Sequence, residues 1–152
     1  MSPTTKDAVN LLVKDHKDVK AMFKIFADLT DRSVVGKKKI ADSICHALTC
    51  HMQLEEEIFY PAVRTVIKDD DMMDEAIVEH AAARELITEI RGMDPGDDLY
   101  DAKVHVLSEQ IDHHVGEEET DMFPKVRKTS LDLVELGEEM NARKAQLEVS
   151  KI

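Results

Sequence analysis

The chain has 152 residues, enough for one domain with a real core, and its 32 acidic and 20 basic residues give a formal net charge of −12. This acidity argues against a nucleic acid or an anionic membrane as partner, since both require a basic surface. No apolar run is long enough to span a bilayer, and no apolar stretch typical of a signal peptide follows Met1, so we expect a cytoplasmic protein.

The composition favours helices. There are only 5 Gly and 4 Pro, Ala, Leu, Glu, Lys and Met are abundant, and the alternation that marks strands is hard to find. Turn-like clusters at 30–37, 68–71, 92–98 and 127–130 separate five amphipathic stretches. Helices are predicted at about 5–29, 37–67, 71–91, 98–127 and 130–148. Pro61 is expected to end or kink the second of them.

The predicted fold class is all-α. Because the connections are short, the first four helices should form an up-down antiparallel four-helix bundle over about 5–127. An additional C-terminal helix at about 130–148 completes a single domain, 1–152. The pattern leaves open whether this last helix covers the bundle or pairs with a second chain, so a monomer and a homodimer are both compatible with it.

Each of the first four predicted helices places a histidine where its core-facing stripe calls for an apolar residue. These histidines are His16, His51, His80 and His114. Glu55 and Glu118 follow one turn after the second and fourth histidine, also inside the stripe. One histidine on an apolar face is usually a satisfied core residue, but uncompensated buried charges cost several kcal/mol. Six such groups together therefore indicate pairing or metal binding.

The same residues mark an internal repeat. His80 repeats His16 at a numbering offset of 64, and His114, Glu118 and Pro124 repeat His51, Glu55 and Pro61 at an offset of 63. Each half is thus a helical hairpin that offers one histidine from its first helix and His-x-x-x-Glu from its second. Groups four residues apart lie on one helix face, about 6 Å apart along the axis. Two such hairpins packed face to face would bring the six side chains to one level.

Other polar residues are weighed against this set. His113 and Glu117 share the His-x-x-x-Glu spacing, but the apolar stripe and the distance to Pro124 favour His114 and Glu118. His46 and His105 fall outside the stripes and are expected at the surface, and metal ligation by Cys45 or Cys50 is disfavoured. Glu56 or Glu119 can brace a ligand histidine.

Two further residues are candidates for chemistry. Arg84 lies four residues after His80 on the inner side of its helix, so it either pairs with Glu55 or Glu118 or stabilises a bound anion such as peroxide. Tyr60 precedes Pro61 and is either a core residue or a phenol that approaches a metal or hydrogen-bonds to an oxygen ligand.

Four imidazoles and two carboxylates suit borderline metals such as Fe, Mn, Co or Zn. Six side chains are too many for one tetrahedral Zn site and too few to saturate two octahedral ions. If both carboxylates bridge, an oxo- or hydroxo-bridged metal pair would keep open positions. Such a pair in an apolar bundle can take O₂, hydrogen peroxide or NO.

This motif set resembles the hemerythrin-like family with the duplicated HHE cation-binding motif, in its short prokaryotic form. The resemblance covers about residues 8–127, and the final helix is similar to the extra helix of that form. It implies a non-haem di-iron centre, with two iron ions, in a four-helix bundle. Oxygen-carrying members have His-x-x-x-His on the third helix and a carboxylate five residues after the fourth-helix histidine. This chain has Arg84 in place of the second of those histidines, and it has Glu118 four and Glu119 five residues after His114; Glu119 could substitute, but the repeat favours Glu118.

The missing histidine makes simple O₂ carriage less fitting than peroxide handling, NO binding or oxygen sensing. The most concrete enzymatic expectation is catalase-like peroxide decomposition. The alternative is a non-enzymatic oxygen or iron sensor, or an iron storage protein. A two-metal hydrolase is disfavoured because no loop is long enough to build a substrate cleft.

Overall fold

The computed structural model describes residues 7–29 and 32–149, which form five helices and no sheet. The helices are α1 (Ala8–Asp28), α2 (Val34–Leu54, Glu55–Phe59 and Tyr60–Val66 in succession), α3 (Asp70–Arg91), α4 (Tyr100–Glu117, Glu118–Met122 and Phe123–Arg127) and α5 (Leu133–Val149). The all-α prediction is confirmed, and the observed boundaries lie close to the predicted ones. The start predicted at residue 5 lies outside the described residues.

Side chains cap the helices that begin each hairpin. Asp7 precedes α1 and accepts hydrogen bonds from the backbone N–H groups of Val9 and Asn10. Asp69 precedes α3 and accepts one from the N–H of Met72. Such caps satisfy backbone donors that have no partner inside the helix. They help to fix where α1 and α3 start, and thus the level at which their histidines lie.

Helix α2 continues through Pro61 to Val66, close to the predicted end at residue 67, so Pro61 does not end it. The segment Glu55–Phe59 is a π-helical turn, in which the N–H of Tyr60 donates to the carbonyl of Glu55 five residues back. Proline has no N–H, and its ring crowds the carbonyl four residues before it. The wider turn ahead of Pro61 accommodates this defect. It also turns Tyr60 onto the same face as Glu55, because one extra residue occupies the turn.

Helix α4 repeats this device at the corresponding place in the second hairpin. Its π-helical turn begins at Glu118, and the N–H of Phe123 donates to the Glu118 carbonyl immediately before Pro124. Single π-helical turns are frequent at functional sites, since they re-aim side chains within an otherwise regular helix. Both turns begin at a predicted ligand glutamate.

Two apolar clusters fill the bundle. One includes Leu12, Phe59, Val63, Met73 and Val126, and the other includes Val19, Leu48, Ile87, Val104 and Leu107. In every helix of the bundle the predicted ligand histidine falls between residues of the two clusters. A layer of polar side chains therefore lies between two apolar layers, which exclude water from it.

The C-terminal helix α5 packs against α1 and α2. Its side chains Leu136, Met140 and Leu147 are buried in the first apolar cluster. In the single chain, α5 therefore covers one side of the bundle. Within the described residues, no helix combines the length and apolarity needed to cross a bilayer.

Candidate metal centre

The polar layer brings all six predicted ligands together in two groups. His16, His51, Glu55 and Glu118 form one group, and Glu55, His80 and His114 form the other, with the ligand atoms of each group within 4.8 Å of one another. All six residues are buried. Glu55 belongs to both groups and is fully inaccessible, with 0% of its surface exposed. The two ligand groups are thus neighbours that share the carboxylate of Glu55.

Both carboxylates face histidines of both groups. Oε1 of Glu55 lies 3.5 Å from Nε2 of His51 and 3.0 Å from Nε2 of His80. Oε1 of Glu118 lies 3.1 Å from Nε2 of His16, whereas Oε2 of Glu118 lies 3.4 Å from Nε2 of His114. Each glutamate is therefore placed to span the two groups, as the internal repeat predicts.

Several of these ligand atoms have no hydrogen-bond partner among the described residues. They are Nε2 of His16, Nε2 of His51, Oε2 of Glu55 and Oε1 of Glu118. A buried polar atom left without a partner costs about 1–3 kcal/mol. Nitrogen and oxygen atoms that converge in this way, with their lone pairs unused, fit a borderline divalent or trivalent cation. The donor set therefore fits the metal that the sequence implies.

The opposite ring nitrogen of every inward histidine contacts a carboxylate on a neighbouring helix. These pairs are His16 Nδ1 with Glu119 (2.7 Å), His51 Nδ1 with Asp15 (3.0 Å), His80 Nδ1 with Glu56 (2.6 Å) and His114 Nδ1 with Glu79 (2.6 Å). The four carboxylates form an outer ring around the polar layer. A proton held on Nδ1 by a carboxylate leaves the lone pair of Nε2 free for a metal. The outer ring thus orients all four imidazoles inward.

The sequence predicted only part of this outer ring. Glu56 and Glu119 were recognised as possible braces, whereas Asp15 and Glu79 were missed. The available signal was the repeat, because Asp15 and Glu79 directly precede His16 and His80 and are therefore equivalent positions of the two hairpins. Each braces the histidine of the next helix rather than its own neighbour.

Two cations reach the outer ring from outside. The ammonium group of Lys144 on α5 donates to Asp15 at 2.6 Å, and the guanidinium of Arg84 donates to Glu56 at 2.8 Å. The side chain of Arg84 is 40% exposed. Arg84 therefore pairs with Glu56, and not with Glu55 or Glu118 as the sequence suggested. Its contact with the polar layer runs through Glu56 to His80.

The hydroxyl of Tyr60 lies between the two groups. It donates to Oε2 of Glu118 at 2.6 Å, and it lies 3.1 Å from Oε1 of Glu55 and 3.2 Å from Nε2 of His114. Its ring stacks on His80, with the centroids 5.5 Å apart. The π-helical turn makes this position possible, since it places a side chain five residues after Glu55 on the inner face.

The second half of the repeat has Phe123 where the first half has Tyr60. The ring of Phe123 stacks on His16 with a centroid distance of 5.9 Å and an interplanar angle of 5°. It brings no hydroxyl to the polar layer. The two halves of the repeat therefore differ chemically, because the first half brings a phenol to the polar layer and the second half brings a phenyl ring.

The electrostatics of the layer favour positive charge on two of its histidines, His16 and His114. Burial lowers the pKa of His16 and His114, but contacts with Glu118 and Glu55 outweigh it and raise the pKa to about 9 for His16 and about 12 for His114. Burial would raise the pKa of Glu55, yet the positive charge of His51 and the adjacent side chains hold it well below the usual value. The buried carboxylates therefore attract cations, whether protons or metal ions.

Burial and the charges of Glu55 and Glu118 raise the pKa of Tyr60 well above its usual value. The phenol therefore keeps its proton while both carboxylates are ionised. It acts as a hydrogen-bond donor in a layer whose other oxygens accept.

A small cavity adjoins the polar layer. It has a volume of about 10 Å³ and is lined by the histidine rings together with apolar side chains that include Val19, Leu48, Ile111 and Val115. This volume corresponds to about one water-sized probe. This cavity therefore admits only a very small molecule.

The remaining histidines and cysteines lie outside the polar layer. His105 and His113 have side chains that are 75% and 69% exposed. His46, which the sequence placed at the surface, is half-buried, and its Nε2 lies 3.6 Å from Sγ of Cys50. Cys45 and Cys50 are free and buried, and burial raises the pKa of Cys45 to about 11. A protonated thiol is a poor metal ligand.

We expect Asp15→Ala to weaken metal binding by roughly 10–100-fold, because it removes the group that orients His51. The measurement is a metal titration of the purified protein. Asp18→Ala is the matched control, since Asp18 lies on the same helix and pairs with the exposed Lys14. Equal metal affinity in Asp15→Ala and the wild type would contradict an orienting role for Asp15.

Comparisons with known proteins agree with this geometry. The chain is 26% identical over 113 residues to a DNA nickase from Nostoc sp. (strain PCC 7120 / SAG 25.82 / UTEX 2576), and the match covers 74% of this chain and 31% of that protein. The chain thus spans less than a third of the length of this curated relative.

The fold is similar to the crystal structure of a hemerythrin HHE cation binding domain-containing protein from Mycobacterium kansasii. The TM-score is 0.81 at 24% identity, over 95% of this chain and 88% of that one. The family model described as "Hemerythrin HHE cation binding domain" matches residues 7–126, which include all six inward side chains. The chain therefore belongs to the hemerythrin HHE cation binding domain family.

Proposed function

We propose that the protein is a non-haem di-iron protein that binds or reacts with O₂, hydrogen peroxide or NO. The observation that carries this proposal is the pair of buried ligand groups that share Glu55 and contain unpartnered nitrogen and oxygen atoms among the described residues. The residues that would hold the metals are His16, His51, Glu55, His80, His114 and Glu118. Two iron ions would supply coordination positions for a small ligand and a two-electron redox change.

Iron is supported by the chemistry of the ligands and by the family. A mixture of imidazole and carboxylate donors suits iron, and no thiolate takes part among the described residues. Each imidazole presents Nε2 inward while its Nδ1 is held by the outer ring, so the ligands are oriented before metal arrives. Carboxylates that face both groups keep the two sites close together.

The cavity beside the histidines favours a small ligand. The adjoining cavity of about 10 Å³ is too small for an organic substrate, and its lining is largely apolar. The apolar layers on both sides exclude bulk water from the histidines. Molecules of two or a few atoms, such as O₂, hydrogen peroxide or NO, match this space.

Tyr60 and Arg84 have different roles in this proposal. The Tyr60 hydroxyl lies among the inward ligand atoms, where it donates hydrogen bonds and can approach a metal or an oxygen ligand. Arg84 acts through Glu56, whose carboxylate contacts both the guanidinium and Nδ1 of His80. Arg84 is therefore a positioning residue that helps to fix the His80 ring.

The enzymatic form of the proposal is catalase-like decomposition of peroxide. One hydrogen peroxide molecule is oxidised to O₂ while a second is reduced to two water molecules, so atoms and electrons balance. Within the chain, the phenol of Tyr60 is a buried donor in contact with both glutamates, while apolar walls keep larger reactants out.

The test adds hydrogen peroxide to iron-loaded protein and follows oxygen release with an electrode. We expect release in the wild type and its loss in His51→Ala, because that variant removes an inward imidazole. Tyr60→Phe tests the role of the phenol independently of the metal ligands. It should slow oxygen release while leaving the iron content unchanged.

A non-enzymatic oxygen or iron sensor is the second candidate, and α5 favours it. Lys144 on this helix contacts Asp15, which in turn contacts His51, so a change at the centre has a short route to the outer surface. A reversible visible absorption band under air, without oxygen release from peroxide, would support the sensor and exclude the catalase-like activity. The activity named for the Nostoc relative is not part of the proposal, since a net charge of −12 disfavours contact with DNA.

A further inference from the structure

A second group of potential ligands lies outside the polar layer, on the solvent side of α3 and α4. This outer cluster consists of Glu75, Glu79, His113 and Glu117, whose ligand atoms lie within 4.8 Å of one another. Nε2 of His113 is 2.6 Å from Oε1 of Glu117 and 3.5 Å from Oε2 of Glu79. The cluster thus combines an imidazole with three carboxylates from two helices.

Helix geometry explains why these four side chains converge. Glu75 and Glu79 are four residues apart on α3, and His113 and Glu117 are four residues apart on α4. Each pair therefore lies on one face of its helix. Because α3 and α4 are packed neighbours, the two pairs face a common point.

One atom of the outer cluster resembles the inner ligand atoms in lacking a hydrogen-bond partner within the described residues, although its side chain is 41% exposed and theirs are buried. Oε1 of Glu117 is buried and has no hydrogen-bond partner among the described residues, although it lies 2.6 Å from Nε2 of His113. The two atoms approach without the alignment of a hydrogen bond. His16 Nε2 and Glu118 Oε1 behave in the same way in the polar layer, where they are 3.1 Å apart.

The internal repeat shows what the first hairpin has at the corresponding places. Glu75 and Glu79 correspond to Leu11 and Asp15, and His113 and Glu117 correspond to Cys50 and Leu54. The four residues of the first hairpin are buried. Three of them belong to the apolar cluster to which α5 contributes. The second hairpin has imidazole and carboxylate groups where the first has a cysteine and two leucines.

The repeat also reveals a difference in charge. Asp15 receives the ammonium group of Lys144 at 2.6 Å. Its counterpart Glu79 uses Oε1 to hold His114 and turns Oε2 toward His113. Among the ion pairs of residues 7–29 and 32–149, neither Lys nor Arg joins Glu75, Glu79 or Glu117. The outer cluster therefore gathers three carboxylates without the cation that its counterpart has.

We propose that the outer cluster binds one divalent transition-metal ion, such as Zn²⁺, Mn²⁺ or Fe²⁺, at the place that Lys144 fills in the first hairpin. Imidazole and carboxylate donors suit these borderline ions. Glu79 connects this site to the polar layer, since its other oxygen holds Nδ1 of His114. The peripheral ion would sit next to a carboxylate that orients an inward histidine.

The test uses iron-loaded protein, equilibrated by dialysis with Zn²⁺ and analysed for both metals. We expect one Zn²⁺ per chain with the iron content unchanged. His113→Ala and Glu117→Gln should each weaken Zn²⁺ binding at least about tenfold. Each variant removes a proposed metal ligand, and even the loss of a group that only orients a ligand weakens metal binding about tenfold. The side chains of His113 and Glu117 are 69% and 41% exposed, so the variants should fold, and circular dichroism checks this.

His105→Ala is the matched control. His105 and Glu109 have the same spacing on the same helix, with Nε2 and Oε1 3.6 Å apart, but they are not part of a ligand cluster in the described residues. This variant should bind Zn²⁺ as the wild type does. Absence of Zn²⁺ uptake by the wild type, or equal uptake by His113→Ala, would overturn the proposal. The difference between the wild type and His113→Ala reports the outer cluster even if the inner centre takes up Zn²⁺ instead of iron.

Discussion

Replacing Glu55 with alanine is expected to lower the iron content from two ions per chain to less than one. Glu55 is the residue shared by both ligand groups, so its loss removes a carboxylate donor from each site. His80→Ala should have a smaller effect, because His80 belongs to one group only. Elemental analysis of protein loaded with iron under identical conditions measures both variants. The proposed order of iron content is wild type, then His80→Ala, then Glu55→Ala.

Glu57→Ala is the matched control for Glu55→Ala. Glu57 lies in the same π-helical turn but points outward and pairs with Arg143 at 3.0 Å. Its replacement should leave both irons in place. Glu55→Gln keeps the shape of the buried side chain and separates loss of ligation from loss of packing. Retention of two irons by folded Glu55→Ala would contradict the proposed role of Glu55 as a ligand shared by both sites.

Much of the fold follows from residue patterns that a single sequence displays. The apolar stripes predicted four core helices and a fifth helix, and the structure has them at nearly the predicted boundaries. Spacing of three and four residues is dictated by the helix itself, so the inner faces were predictable wherever the helix stays regular. The internal repeat also predicted that the ligand side chains of the two hairpins lie at one level along the bundle.

The π-helical turns lie beyond this reasoning. In a helix of regular period, Tyr60 would lie away from the face that carries Glu55. The extra residue in the π-helical turn brings the phenol to within 3.1 Å of the Glu55 carboxylate. Pro61 was interpreted as an end or a kink. The helix instead absorbs the missing hydrogen bond by widening, which is a cooperative property of the backbone that residue propensities do not contain.

The inward histidines were easier to predict than the residues that hold them. A buried imidazole stands out in an apolar stripe, but Asp15 and Glu79 lie at the edge of a stripe, where carboxylates are common. Only the packed structure shows that each of these two carboxylates contacts the histidine of the next helix. Arg84 illustrates the same difficulty, since its position predicted a partner in the polar layer and its length carries it to Glu56 instead.

Removing the metal ions is expected to cost the protein about 5 kcal/mol of stability, since a ligand present at roughly 100 times its Kd contributes about 2.7 kcal/mol per site and two sites are proposed. For a chain of this size, each kcal/mol shifts Tm by about 2–4 °C, so chelation should lower Tm by roughly 10–20 °C. The physical reason lies in the four buried nitrogen and oxygen atoms of the polar layer that have no other partner among the described residues. Scanning calorimetry of iron-loaded and chelated protein measures the change.

The control for this experiment is the double variant His51→Ala/Glu55→Ala. This variant lacks His51, a ligand of one group, and Glu55, the ligand shared by both groups. Iron should therefore not raise its Tm. The chelated wild type should regain its stability when iron returns, because the outer carboxylates keep the imidazoles oriented in the absence of metal. If elemental analysis showed loss of both irons while the Tm of the wild type stayed constant, the inward histidines and glutamates would have to be satisfied by one another. Without metal the polar layer would then be a satisfied hydrogen-bonded core that iron does not stabilise, since protonated imidazoles can neutralise Glu55 and Glu118 without any ion.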